Sequence, residues 1–248
     1  MEKIKLDKIS TRADKQFDKE TTKEKTTKML GEIAELQNLL YAEGKHSILM
    51  VIQGMDASGK DGAIKHVFGP VNPQGVMVQS FKTPTAEEQS HDFLWRVHQH
   101  VPAKGMMQIF NRSHYEDILI TRVHNWIDDD TAQKRMKAIN HFEELLIEHN
   151  NTHILKFYLH VSLEEQHKRL EERMKDPAKM WKYNSNDLIE EQLWKRYMEM
   201  YEDCFANCNK APWTIVPSDQ NWYKEYIISA ALRELLLSLK MKFPGLKK

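Results

Sequence analysis

A glycine-rich stretch combines one lysine with two carboxylates, in the spacing Gly54-x4-Gly59-Lys60-Asp61. Loops of this kind bind phosphate through inward-pointing backbone N–H groups, and the lysine reaches the outer phosphate oxygens. An apolar run precedes the loop and a helical pattern follows it, which is the strand–loop–helix order of a Walker A motif. The predicted phosphate-binding backbone is that of Gly54, Ala57, Ser58, Gly59 and Gly62.

Asp61 stands where a Walker A sequence normally has Ser or Thr. A hydroxyl is a neutral magnesium ligand, whereas a carboxylate would repel phosphate unless a cation lay between them. Asp56 places a second carboxylate inside the same loop. The two acids therefore predict a site that holds Mg2+ beside a polyanion.

A second polar cluster follows a predicted strand at 105–110 and contains Arg112, Glu116 and Asp117. Ligands of open α/β sheets bind at the carboxyl ends of the strands, so this cluster should face the phosphate loop. Arginine can hold phosphate oxygens in a bidentate manner, and either acid could ligate magnesium or orient the acceptor. A surface turn with an ion pair is the alternative. Arg122, further along, is either a phosphate contact or a structural partner.

Arg169 and Arg173 are four residues apart and therefore share one face of a predicted helix. Pro177 ends that helix, and a polar segment with Lys179 and Trp181 follows. The arginines could form a lid that covers phosphates and excludes water, or they could belong to an ordinary solvated helix. Trp181 is either lid packing or a nucleobase contact.

Composition limits the classes of function. The chain has 248 residues and equal numbers of acidic and basic side chains, so a polyanion site requires a local concentration of Lys and Arg. The sequence predicts no partner nucleic acid, no membrane span and no signal peptide. Cys204 and Cys208 are expected to be reduced and packed, as in cytoplasm.

Strands alternate with helices throughout, which predicts a single α/β domain over 1–248 with a parallel sheet and a helical lid at 165–190. Residues 1–45 are predicted as an N-terminal arm, over 1–28, and a helix, with the arm lying over the surface or over a neighbouring subunit. The predicted strands are 48–52, 76–81, 105–110, 154–161 and 213–216. The predicted helices are 63–68, directly after the glycine-rich loop, and 29–40, 85–100, 136–147, 162–176, 187–205 and 228–239. Tyr197, Tyr201, Phe205 and Trp213 are predicted to lie in the core.

Together these motifs resemble the family 2 polyphosphate kinases. The resemblance runs from about residue 10 to the C-terminus, on the stretches 54–62, 91–96, 110–117, 169–182 and 211–219. It implies a three-layer α/β/α P-loop kinase fold similar to thymidylate kinases. It also implies Mg2+-dependent phosphoryl transfer between inorganic polyphosphate and nucleotides, and a homodimer or homotetramer. The functional positions carried over are Asp56, Lys60, Asp61, Arg112, Asp117, Arg169 and Arg173.

The Tyr115-Glu116-Asp117 form of the motif resembles the subgroup that accepts both AMP and ADP. In the combined hypothesis, polyphosphate lies along Lys60, Lys65, Lys82 and Arg112. Mg2+, with Mn2+ as a substitute, is held around Asp56, Asp61 and Asp117, and the two lid arginines cover the transferring group. Adenine nucleotides are the expected acceptors, with guanine nucleotides as further candidates.

Two other functions remain open at this point. An ATP-dependent nucleotide kinase of the thymidylate kinase type would use the loop for ATP, although it would normally carry Ser or Thr after Lys60. A binding module without catalysis would sense phosphate chains or nucleotides. The acids beside the loop and the paired arginines argue against the second, since binding alone does not require them.

Overall fold

The computed structural model describes residues 4–182, 184 and 186–246. Its five strands form one parallel sheet in the order β2-β3-β1-β4-β5. The described residues leave out both ends of the predicted domain, 1–3 and 247–248, and the positions 183 and 185 of the predicted lid. The strands are β1 (Ser47–Gln53), β2 (Val76–Ser80), β3 (Met107–Asn111), β4 (Thr152–His160) and β5 (Trp213–Pro217).

Helices connect the strands and cover both faces of the sheet. Their bounds in the described part of the chain are α1 (Lys19–Glu43), α2 (Lys60–Phe68), α3 (Ala86–Gln89), α4 (Trp95–His98), α5 (Ile120–Val123), α6 (Asp129–Asn150), α7 (Leu163–Lys175), α8 (Asn186–Gln192), α9 (Trp194–Asn207) and α10 (Asn221–Ser238). Short 3-10 turns add Leu6–Lys8, Pro73–Gly75, His114–Ile118 and Met180–Lys182.

Each face of the sheet has its own hydrophobic core. On one face, Val51 and Phe110 pack with residues of α6 and α9. On the other, Met50 packs with residues of α1, α2 and α10, including Ile33 and Leu232. Every residue of β1 is buried, as expected of a central parallel strand covered on both sides. The predicted three-layer α/β/α class is confirmed.

The predicted core and the state of the cysteines agree with the structure. Tyr197, Tyr201, Phe205 and Trp213 are all buried, and Cys204 and Cys208 are buried free thiols. Among the described residues, no helix is both long enough and apolar enough to cross a membrane.

Several predicted elements were wrong in extent, since α1, α6 and α10 begin seven or more residues earlier than predicted. The N-terminal arm does not reach residue 28, because Asp18 caps α1 and the helix begins at Lys19. The helix predicted at 85–100 is interrupted between α3 and α4, where Asp92 accepts a hydrogen bond from the backbone N–H of Leu94. Such local side-chain bonds compete with helix continuation. The helix predicted at 187–205 is likewise divided, at Leu193.

The N-terminal segment that precedes α1 lies on its own chain. Leu6 is buried, Lys5 forms an ion pair with Glu202 at 2.7 Å, and the Thr11 hydroxyl donates to Asp219 at 2.8 Å. These contacts fix the segment beside the carboxyl ends of β4 and β5. Leu6 thereby joins the hydrophobic core on one face of the sheet.

Candidate active site

The phosphate loop lies between β1 and α2 and is held open by backbone conformations that favour glycine. Gly59, at the N-terminus of α2, has φ +93°. Lys60 is buried, and its Nζ donates to the carbonyl oxygens of Gly54 at 2.7 Å and Met55 at 2.9 Å. Burial, helped by the charge of Arg112, lowers the pKa of Lys60 to about 8. The loop thus folds around the ammonium group that would bind phosphate.

Arg112 joins the β3 end to the loop, as the parallel pairing of β1 with β3 requires. Its backbone N–H donates to the Ile52 carbonyl at 3.1 Å, and its guanidinium forms ion pairs with Asp56 and, at 3.4 Å, with Glu116. The charge of Glu116, opposed by burial, raises the pKa of Arg112. Burial favours the neutral form of Asp56, but Arg112 and Lys60 hold the pKa of that carboxyl below its usual range.

Asp61 is the point where the lid meets the loop. Lys182 Nζ lies 2.7 Å from Asp61 Oδ2, and the Asn111 amide donates to Oδ1 at 2.9 Å. Burial works against the charge of Asp61, whereas its hydrogen bonds with Lys182 and Asn111 bring the pKa below normal. A lid cation therefore sits at the acid predicted to bind metal.

Arg169 braces the loop from α7. Its guanidinium donates to the carbonyls of Ala57 at 3.1 Å and Ser218 at 2.8 Å, and its Nε donates to Glu165 at 2.8 Å. Arg173 lies one turn further along the helix and faces the same cleft. The predicted shared face of the two arginines is confirmed, with Arg169 linking the phosphate loop to the end of β5.

These groups surround a cleft of about 740 Å³ at the carboxyl edge of the sheet. Twelve of the predicted site residues line it: Asp56, Ala57, Gly59, Lys60, Asp61, Gly62, Lys82, Arg112, Arg169, Arg173, Lys179 and Trp181. Trp181 is 77% exposed, so it is not lid packing in this conformation and is available to a ligand.

The other predicted residues are not among the described residues that line the cleft. Gly54 and Ser58 support the loop, and Glu116 holds Arg112. Lys65 is exposed on α2 and does not extend the predicted polyphosphate track. Arg122 is a structural partner, because it bridges Asp203 at 2.7 Å and Asp129 at 3.0 Å.

The three aspartates predicted to hold metal are not brought together. Asp117 faces Arg96 at 3.6 Å and Arg135 at 3.8 Å instead of the cleft. The described ranges contain no group of three or more acidic, His or Cys side chains placed to hold a metal ion. Asp56 and Asp61 alone still fit Mg2+, which usually takes one or two carboxylates together with phosphate oxygens and water.

Several residues of the cleft were missed by the sequence analysis as site residues. Among them are Asn111, Lys182, Asn221 and Lys224. Asn221 and Lys224 are three apart at the start of a helix that directly follows a strand, a placement that could have indicated a site residue. Their contact with the phosphate loop depends on packing between distant parts of the chain.

A buried network supports the segment after β3 from below. Tyr115 donates to Glu143 at 2.5 Å, and Lys156 Nζ lies 2.7 Å from the Tyr115 hydroxyl and 2.8 Å from Glu143 Oε2. Tyr115, Glu143 and Lys156 are fully or almost fully buried. The network anchors the segment that carries Arg112 and Glu116 to β4 and α6.

The family model for polyphosphate kinase 2 matches residues 16–243, nearly the whole of this site-bearing chain. The chain belongs to the polyphosphate kinase 2 family. The crystal structure of polyphosphate kinase 2 from Arthrobacter aurescens TC1 superposes with a TM-score of 0.96 at 39% identity, covering 100% of this chain and 90% of that one.

Curated relatives of this chain are also similar over most of their length. An AMP/ADP-polyphosphate phosphotransferase from Meiothermus ruber is 49% identical over 86% of this chain and 80% of its own length. An ADP-polyphosphate phosphotransferase from Rhodopseudomonas palustris is 41% identical over 98% of this chain and 89% of its own length. These relatives favour polyphosphate transfer over the ATP-dependent nucleotide kinase considered above.

Proposed function

We propose that this chain transfers phosphoryl groups between inorganic polyphosphate and adenine nucleotides, mainly from polyphosphate to AMP and ADP. One observation carries the proposal: among the described residues that line the cleft, eight are basic and four are acidic, in a chain whose net charge is zero. This local excess of positive charge fits a long phosphate chain. The similarity to the AMP/ADP-polyphosphate phosphotransferase supports both acceptors.

In this proposal the protein supplies position and charge. Lys60 and Arg112 bind oxygens of the reacting phosphates, and Arg173 approaches them from the lid. Arg169 keeps the loop carbonyls in place. Closure of the lid excludes water, so that the nucleotide oxygen attacks the terminal phosphorus in line without hydrolysis. The phosphoanhydride bond to the next phosphate breaks, and the polyphosphate chain, shorter by one phosphate, leaves with the electron pair.

Asp56 and Asp61 would hold Mg2+, or Mn2+ in its place, and the bound ion would neutralise part of the phosphate charge. Lys182 occupies the side of Asp61 that faces the lid. Because D61N removes one of these two carboxylates, we expect it to weaken Mn2+ binding, as measured by electron paramagnetic resonance of the unbound Mn2+. Unchanged Mn2+ binding by D61N would refute this assignment.

The activity test incubates the protein with Mg2+, long-chain polyphosphate and either AMP or ADP, and follows nucleotides by chromatography. ADP and then ATP should form from AMP, and ATP from ADP. Lys60→Met should lower the rate by on the order of 100-fold, the usual scale for losing a charge-stabilising donor. Lys65→Met is the matched control, because Lys65 lies on the same helix but outside the cleft. Absence of product with polyphosphate, together with ATP-dependent phosphorylation of a nucleotide, would overturn the proposal.

Three further expectations belong to this proposal. Guanine nucleotides are tested as acceptors in the same assay, where GTP formed from GDP would extend the specificity. A homodimer or homotetramer is expected, and light scattering of the purified protein measures the mass. A cytoplasmic location is expected, and fractionation of the source cells tests it.

A further inference from the structure

Two lysines of this chain, Lys156 and Lys224, are each about 1% exposed, but their surroundings differ. Lys156 is compensated by the Glu143 carboxylate at 2.8 Å. Lys224 has neutral partners: its Nζ lies 3.1 Å from the Gly59 carbonyl oxygen and 2.9 Å from Asn221 Oδ1. Within the described part of the chain, no carboxylate lies at ion-pair distance from Lys224.

Lys224 also differs from Lys156 in location. It lies in the first turn of α10, directly after β5, and lines the cleft together with Asn221. Its ammonium group lies against the end of the phosphate loop: a Cβ added to Gly59 would be 2.2 Å from Lys224 Nζ. The glycine at this position therefore leaves the space that the ammonium group occupies.

A buried cation without a counter-ion is energetically unfavourable. Burial, with the nearby charge of Arg169, lowers the pKa of Lys224 to about 8. If Lys224 served only to hold the loop, a neutral donor would bind the Gly59 carbonyl without this cost. A buried ammonium group is stabilised where an anion binds beside it. The adjoining cleft is the one that binds phosphate in the proposed function.

We propose that Lys224 is a second phosphate-binding lysine, whose ammonium group donates to a phosphate oxygen of the chain held at the glycine loop. Lys60 is the first residue of α2 and Arg112 directly follows β3, whereas Lys224 approaches the loop from α10, which follows β5. The phosphate-binding surface then extends from the loop to the first turn of α10. This inference rests on the proposed function, since it requires a phosphate chain in the cleft.

The test is calorimetric titration of the full-length protein with tripolyphosphate and with long-chain polyphosphate, in the absence of nucleotide. We expect Lys224→Met to weaken binding about 10- to 100-fold, the effect of losing one hydrogen bond to a charged group. Lys104→Met is the matched control. Lys104 is exposed in the loop before β3, at the amino ends of the strands and therefore away from the cleft. Its replacement changes the net charge by the same amount.

Thermal unfolding without ligand separates binding from structural support. Methionine has a similar length and no charge to bury, so Lys224→Met should unfold at or above the wild-type temperature while its stabilisation by tripolyphosphate is reduced. The fitted stoichiometry reports the folded fraction in each titration.

Two results would overturn the inference while leaving the proposed function intact. One is wild-type affinity of Lys224→Met for both phosphate chains. The other is a lower unfolding temperature of the free variant with an unchanged dissociation constant, which would make Lys224 a structural support. If the wild-type protein bound neither phosphate chain, the proposed function would fail, and this inference with it.

Discussion

The buried ion pair between Lys156 and Glu143 provides a direct test of how the segment after β3 is held. Both side chains are 0% exposed, with 2.8 Å between Nζ and Oε2. Lys156→Met leaves the Glu143 carboxylate buried without its cation, which costs about 3–5 kcal/mol. For a chain of this length each kcal/mol lowers the unfolding temperature by about 2–4 °C, so a decrease of about 6–20 °C is expected.

Differential scanning calorimetry measures this decrease, and the double variant K156M/E143Q is the control. Glutamine keeps an acceptor for the Tyr115 hydroxyl but carries no charge, so the double variant should recover at least half of the lost stability. Wild-type stability of K156M, or a double variant less stable than K156M, would refute the reasoning.

The pH dependence of the same pair has a defined sign. Burial opposes ionisation of Glu143, but His114 at 3.9 Å and Lys156 together hold the pKa of Glu143 below its normal value. A carboxyl group whose pKa is lower in the folded state than in the unfolded state stabilises the protein at pH values above its pKa in the unfolded state. This stabilisation is lost as the pH falls through its pKa in the folded state. The difference in stability between wild type and K156M should therefore shrink in acid.

Three further predictions concern the site. Gly59→Ala should destabilise the protein by at least about 1–2 kcal/mol, because Gly59 has positive φ and its new Cβ would meet Lys224. Gly62→Ala is the control: a Cβ at Gly62 meets no atom within contact distance, so this variant should be as stable as wild type or more stable. Equal urea unfolding midpoints for the two variants would contradict this. Binding of ADP should shift the tryptophan emission of wild type to shorter wavelength and change that of Trp181→Phe less, since Trp181 is exposed in the cleft; identical shifts would exclude burial of Trp181. Burial raises the pKa of Asp117 to about 6, although Arg96 and Arg135 lie nearby. Between pH values of about 4 and 6, the folded state therefore retains a proton that the unfolded state has released. The free energy of unfolding should fall as the pH rises through this range. Asp117→Asn should remove this decrease, and a slope equal to that of wild type in urea unfolding at several pH values would contradict it.

The sequence by itself determined the features that depend on neighbouring residues. The strand–loop–helix at Gly54–Gly62 is local, because an apolar strand, glycines and a helix N-terminus lie within about twenty residues. The alternation of strands and helices likewise predicted the parallel sheet, and with it that the residues following β3 lie at the same edge as the loop. The spacing of Arg169 and Arg173 was enough to place both on one helical face.

Only the tertiary structure decided which side chains meet across the chain. Lys224 lies 165 positions from Gly59 and reaches it because α10 packs beside the phosphate loop. Arg122 and Asp117 have the residue types of a phosphate or metal site, but acids and arginines from other elements hold them elsewhere. Residue type and spacing determine what a side chain can bind. The direction in which it points, and the charges that compensate it, are fixed when distant helices pack on the sheet, since burial makes each unpaired charge costly.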